Sequence, residues 1–222
     1  MNAPLSLLVQ DGLQVSARLE LAAGARACYV MAHGAGAGMD HPFMCAAASD
    51  LSTLGIATLR FQFPYMERGA RRPDPPPLCH ATVRAAVAAA ARLAPALPLF
   101  AGGRSFGGRM TSQAQAIAPL PGVRGLAFLG FPLHAAGSPG NARAQHLAKV
   151  SVPMLFVQGT RDALADRALL EALVARLGQR ATLCFVDDAD HSFHVPVRSG
   201  RTDTQVRQAL LASMARWVDG LR

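Results

Sequence analysis

Lysine is almost absent from this chain: Lys149 is the only one in 222 residues, so the formal net charge of +8 rests on arginine. The arginines are spread along a chain rich in Ala, Gly and Pro. Their tightest cluster is Arg68-Gly69-Ala70-Arg71-Arg72, the best support for a nucleic-acid partner. Dispersed arginine reads better as a solvated basic surface, and no nucleic-acid partner is expected. No segment approaches the ~20 consecutive apolar residues of a membrane span, so no membrane partner is expected. Met1-Asn2-Ala3-Pro4-Leu5 lacks the basic region and apolar run of a secretion signal, which makes a cytoplasmic location the default expectation. The four cysteines, Cys28, Cys45, Cys79 and Cys184, form no C-x-x-C pair and read as reduced packing residues. Without H-E-x-x-H or a cysteine framework, neither a metal nor another cofactor is expected. Internal repeats are absent too.

What is present is a chain that is 51% hydrophobic, long enough to bury the core of one ordinary α/β domain over residues 1–222. Short apolar runs near 5–9, 13–20, 27–32, 56–61, 98–102, 124–129, 153–158 and 181–186 alternate with alanine-rich helical patterns. The helices are expected near 41–54, 78–93, 108–118, 165–177 and 203–220, the first capped by Asp40 with Pro42 in its first turn. This alternation is that of a mostly parallel sheet of about 7–8 strands with helices on both faces. Asp11-Gly12 between the first two runs signals an antiparallel hairpin at the sheet edge. The proline-rich stretch from Phe63 to Pro77 is expected to be a stiff extended loop on the substrate side. Between Phe131 and Asn141 there is no room for a large lid.

Gly103-Arg104-Ser105-Phe106-Gly107 follows an apolar run and precedes a helical segment. G-x-S-x-G in a strand–turn–helix setting is the pattern of a nucleophile elbow, which makes Ser105 a candidate nucleophile. The reversal brings the residues on either side of the serine so close that a Cβ would collide, hence glycine at 103 and 107. Serine needs a base, and the base needs an orienting acid. Gly159-Thr160-Arg161-Asp162 and Asp187-Asp188-Ala189-Asp190-His191 each follow a later strand, putting Asp162 and His191 at the same sheet edge as Ser105. His134 and His194 are rivals for the base, and Asp187, Asp188 and Asp190 for the acid. His33 reads as a structural hydrogen-bonder, and His41, His80 and His146 as surface or packing residues.

The developing oxyanion needs two donors. One is expected from the backbone of Phe106. The other is expected from the loop His33-Gly34-Ala35-Gly36-Ala37-Gly38, whose glycines let N–H groups point inward. A phosphate cradle is the competing reading of that loop, but Gly34, Gly36 and then Met39 do not complete G-x-G-x-x-G. Gly34, Gly36, Arg104 and His134 complete the candidates for contact with substrate. Arg68, Arg71 and Arg72 are further arginines that would favour an anionic substrate, unless they form surface ion pairs.

Taken together, the His33–Gly38 loop, the elbow, Gly159–Asp162 and Asp190-His191-Ser192-Phe193 resemble the α/β-hydrolase superfamily over nearly the whole chain, in particular small lidless hydrolases allied to dienelactone hydrolases. The resemblance implies a single-domain α/β-hydrolase fold with no large lid. It also implies Ser105 as nucleophile, His191 as base then acid, Asp162 as orienting carboxylate, and Phe106 with Ala35 as oxyanion donors. The partner implied is a small-molecule acyl substrate, an ester or a related thioester or lactone. Serine stands where dienelactone hydrolase itself uses cysteine, so dienelactone is not carried over as the substrate. A non-catalytic binding module on the same fold is the reading from another class.

Overall fold

The computed structural model describes residues 2–222. Eight strands, β1 (Asn2–Leu8), β2 (Gln14–Glu20), β3 (Ala27–Ala32), β4 (Ile56–Phe61), β5 (Leu99–Arg104), β6 (Val123–Leu129), β7 (Met154–Gly159) and β8 (Ala181–Val186), form one sheet. Their order is β1-β2-β4-β3-β5-β6-β7-β8. Pairing is antiparallel for β1 with β2 and β2 with β4, and parallel from β4 through β8. The hairpin turns where Asp11-Gly12 predicts it. Both residues have positive φ (47° and 75°), the conformation that matches the twist of two antiparallel strands.

Every residue of β3, β4 and β7 is buried, as expected for strands covered on both faces. Alternate residues serve different cores. Cys28, Val30 and Ala32 face the side covered by α3 (Pro76–Leu93) and α4 (Phe106–Ile117), where α5 (Arg167–Leu177) packs further along on β8. Ala27, Tyr29 and Met31 face α1 (Pro42–Thr53) and α6 (Asp203–Asp219). The result is a single α/β domain without a large lid. None of the helices among the described residues is long and apolar enough to cross a membrane.

Two local expectations are corrected. The cap of α1 is His41, whose Nδ1 accepts from the Phe43 amide at 3.2 Å, while Asp40 is paired with Arg18 at 2.9 Å. The segment 63–77 is only partly a loop. Pro64–Glu67 forms the one-turn α2, and α3 begins at Pro76. Proline opens both helices because a first-turn residue has no intrahelical partner for its N–H and the fixed φ is already helical.

The last helix is held by a capping box between Thr202 and Gln205 and by the fully buried Leu210, Leu211, Met214 and Val218. Leu211→Ala is expected to cost about 2–5 kcal/mol. Gln208→Ala, on the exposed face of the same helix, should change stability by less than about 0.5 kcal/mol. Urea denaturation of the two variants checks the orientation of the helix.

Candidate active site

Ser105 lies between β5 and α4 with φ 48° and ψ −114°, a conformation that a residue with a side chain adopts only under tertiary constraint. Its neighbours supply that constraint. The Ser105 amide donates to Leu129 O at 3.0 Å, and its carbonyl accepts from the Arg109 amide at 3.1 Å, so both flanks are fixed. A Cβ on Gly107 would sit 2.5 Å from the carbonyl oxygens of Ala32 and His33, and one on Gly103 would strike Ala32 O. The sharp turn therefore exists because α4 starts almost in contact with the end of β3.

The structure brings three predicted residues together at the carboxyl ends of their strands. His191 Nε2 lies 2.9 Å from Ser105 Oγ, and His191 Nδ1 lies 2.7 Å from Asp162 Oδ2. Asp162 is wholly enclosed, whereas the His191 side chain keeps 24% of its exposure. The carboxylate accepts further hydrogen bonds from the Leu164 amide at 2.8 Å and from Gln158 Nε2. Gln158 is also anchored, since its Oε1 accepts from the Phe131 amide at 2.9 Å. Sequence reasoning passed over Gln158. Its one signal was an amide side chain inside an otherwise apolar strand.

Three of the rival residues, Asp190, His194 and His134, are occupied elsewhere. Asp190 Oδ1 accepts from the amides of Ser192 and His194, closing the turn that carries His191. His194 is exposed and paired with Asp203 at 2.8 Å. His134, a candidate for substrate contact, is buried with both ring nitrogens engaged: Nδ1 donates to Ala135 O at 2.8 Å and Nε2 accepts from the Asp166 amide at 2.9 Å. It braces the loop before α5 and has no nitrogen left for a ligand.

Two open recesses, of about 390 and 430 Å³, share Ala35, Ser105 and Leu164. Phe106, Arg109, Arg143, Asp74 and Pro132 line the first. Gly34, Gly36, Arg104, His41 and His191 line the second, so three of the four predicted substrate-contact residues are there. Arg104 is folded over the Phe43 ring with its guanidinium carbon 4.7 Å from the centroid. Among the described residues, neither the Phe106 nor the Ala35 amide donates to a protein acceptor. Of the proline-loop arginines, Arg68 is held by Asp74, and Arg71 and Arg72 are exposed and line neither recess. His41, read from sequence as a surface or packing residue, lines the second recess instead.

His33 holds the loop that carries Ala35. Its Nε2 accepts from the Phe63 amide at 3.0 Å and its Nδ1 donates to Gly34 O at 2.8 Å, an arrangement only the neutral ring can make. That loop reaches the elbow: a Cβ on Gly34 would stand 3.9 Å from Ser105 Cβ.

The sequence pattern of the alpha/beta hydrolase domain matches residues 25–219. The chain belongs to the alpha/beta hydrolase family. Similar solved structures include a dienelactone hydrolase from Anabaena variabilis, 21% identical with a TM-score of 0.80, covering 100% of this chain and 99% of that one. A serine hydrolase without a lid from Xanthomonas campestris is 24% identical, with a TM-score of 0.74 and coverage of 97% of this chain and 94% of that one. The esterase domain of a Rhodothermus marinus protein is 17% identical, with a TM-score of 0.71 and coverage of 97% and 98%. At these identities the likeness shows the hydrolase fold.

Burial lowers the His33 pKa to about 4, and that of His146, buried beside Arg109, also to about 4. In the unfolded chain an imidazole takes up its proton at about 6.5. Below that pH the unfolded state therefore binds more protons, and stability falls as the pH drops from about 6.5 towards 4. Urea denaturation should show the protein less stable at pH 4.5 than at pH 7.5, by at least about 1–3 kcal/mol for His33 and His146 together.

Proposed function

We propose that this hydrolase cleaves small ester-type acyl substrates through an acyl-enzyme on Ser105. The observation that carries this reading is the unbroken contact from Asp162 Oδ2 to His191 Nδ1 at 2.7 Å and from His191 Nε2 to Ser105 Oγ at 2.9 Å. Asp162 holds the proton on Nδ1, so Nε2 presents a lone pair to the serine hydroxyl. Ser105 Oγ gives its proton to His191 Nε2 and bonds to the substrate carbonyl carbon, whose oxygen takes up the negative charge. The Phe106 and Ala35 amides, without protein acceptors, stabilise that oxyanion. As the intermediate collapses, the C–O bond to the leaving alcohol breaks and His191 returns the proton to it. Water then attacks the acyl-serine, with His191 again as base, and releases the acid.

The absence of a large lid and the modest recesses favour short, water-soluble acyl groups. Thioesters and lactones present the same electrophilic carbon and belong to the same reading. The dienelactone hydrolase and esterase names of the similar structures agree with acyl-transfer chemistry. The arginines around Ser105 fit a polar substrate better than a lipid.

Ser105→Ala is expected to abolish labelling by a fluorophosphonate probe and to lower ester turnover by at least about 10³-fold. His191→Ala should lose the label in folded protein too. No adduct on Ser105 in folded wild type, or an adduct unchanged in His191→Ala, would favour a binding module on this fold. Within a p-nitrophenyl ester series, acetate should be turned over far faster than palmitate. Comparable rates would contradict the open, small-substrate site.

A further inference from the structure

Arg109 lies one helical turn beyond Ser105, on the same side of α4, its amide bonded to the Ser105 carbonyl at 3.1 Å. Its guanidinium carbon is 5.8 Å from the centre of the Phe106 ring, and its Nε is buried with no hydrogen-bond partner. Arg143 faces the same recess and spends one N–H on His134 O at 2.8 Å. Neither arginine has a carboxylate partner among the described residues. Burial and the Arg143 charge both hold the Arg109 pKa below its ordinary value, so the two cations repel each other without a counter-charge. The one acid lining this recess among the described residues, Asp74, is paired with Arg68 through Oδ1, while its Oδ2 is buried without a hydrogen-bond partner. Arg68 and Asp74 cancel, and the wall retains the charge of Arg109 and Arg143.

We propose that Arg109 and Arg143 form an anion subsite beside Ser105 that selects substrates bearing a carboxylate. This rests on the reading of Ser105 as nucleophile. A carboxylate bound in the recess that both arginines line supplies the counter-charge they lack and relieves their repulsion. A neutral water molecule would leave that repulsion in place. The subsite is distinct from Arg104, which lies in the other recess over Phe43.

Two matched ester pairs test the proposal on either side of the scissile bond: p-nitrophenyl hemisuccinate against p-nitrophenyl butyrate, and 4-acetoxybenzoate against phenyl acetate. In one pair at least, kcat/KM should favour the anionic ester by about tenfold or more at low ionic strength, and the preference should shrink as salt is added. In Arg109→Gln and Arg143→Gln the anionic-to-neutral ratio should fall about tenfold, and Arg143→Lys should keep most of it. The salt series on wild type needs no variant to fold. Turnover dependent on Ser105 with no preference in either pair, or a ratio unchanged in both Gln variants, would overturn the subsite and leave the serine reading standing. If no ester is turned over, binding of succinamate and butyramide to wild type, followed by NMR, decides the subsite alone. Selective binding of succinamate that is lost in Arg109→Gln supports it, and equal binding of the two overturns it.

Discussion

The near-contact between the start of α4 and the end of β3 is the constraint on which the site depends. Gly103 and Gly107 have no side chain because the carbonyls of Ala32 and His33 occupy the space a Cβ would need. That approach forces the turn, and the turn holds Ser105 at φ 48°. A strained residue persists only where its surroundings over-determine it. Here the Ser105 amide is tied to β6 through Leu129 and its carbonyl to the first turn of α4. The same approach leaves the loop after β3 against the serine, so one packing event sets both the nucleophile and the loop carrying Ala35.

Buried polar groups then carry this geometry outward. His33 bridges the Gly34 carbonyl and the Phe63 amide, joining the loop after β3 to the chain leaving β4. His134 links the segment after β6 to the start of α5 in the same way. Gln158 joins the Phe131 amide to Asp162, which in turn fixes His191. Each of these groups would be costly to bury unpaired, so each is a reason for the surrounding loops to adopt one arrangement. The site's edge is thus a set of loops braced by buried side chains, with the sheet beneath them.

The parallel part of the sheet was legible in the sequence because buried parallel strands are written as short apolar runs, and the edge hairpin because Asp11-Gly12 signals its turn. Ser105, Asp162 and His191 were legible because each follows a strand end and the elbow requires glycine. The residues that sequence reading misplaced share a different property. His134 looks like a loop ligand until both ring nitrogens are seen to be occupied. Asp40 looks like a cap until Arg18 claims it. Pro64 and Pro76 look like helix breakers until they are found at first turns, where proline is tolerated. In each case the deciding fact is a partner distant in the chain or the position within an element, and neither is contained in local composition.

Arginine shows the same limit most clearly. In sequence the charge is dispersed, and Arg68, Arg71 and Arg72 draw the eye because they are adjacent. Folding reverses that order of interest. Arg68 is paired and its neighbours are exposed, while Arg109 and Arg143, far apart in the chain, meet in the recess beside Ser105 without a counter-ion. A surface cation keeps its hydration and is screened by salt within about 8–10 Å. A half-buried one gives up part of that hydration and recovers the loss only from a partner. Most of the positive charge of this chain is compatible with a solvated surface, whereas these two guanidiniums bear on which molecule the recess admits.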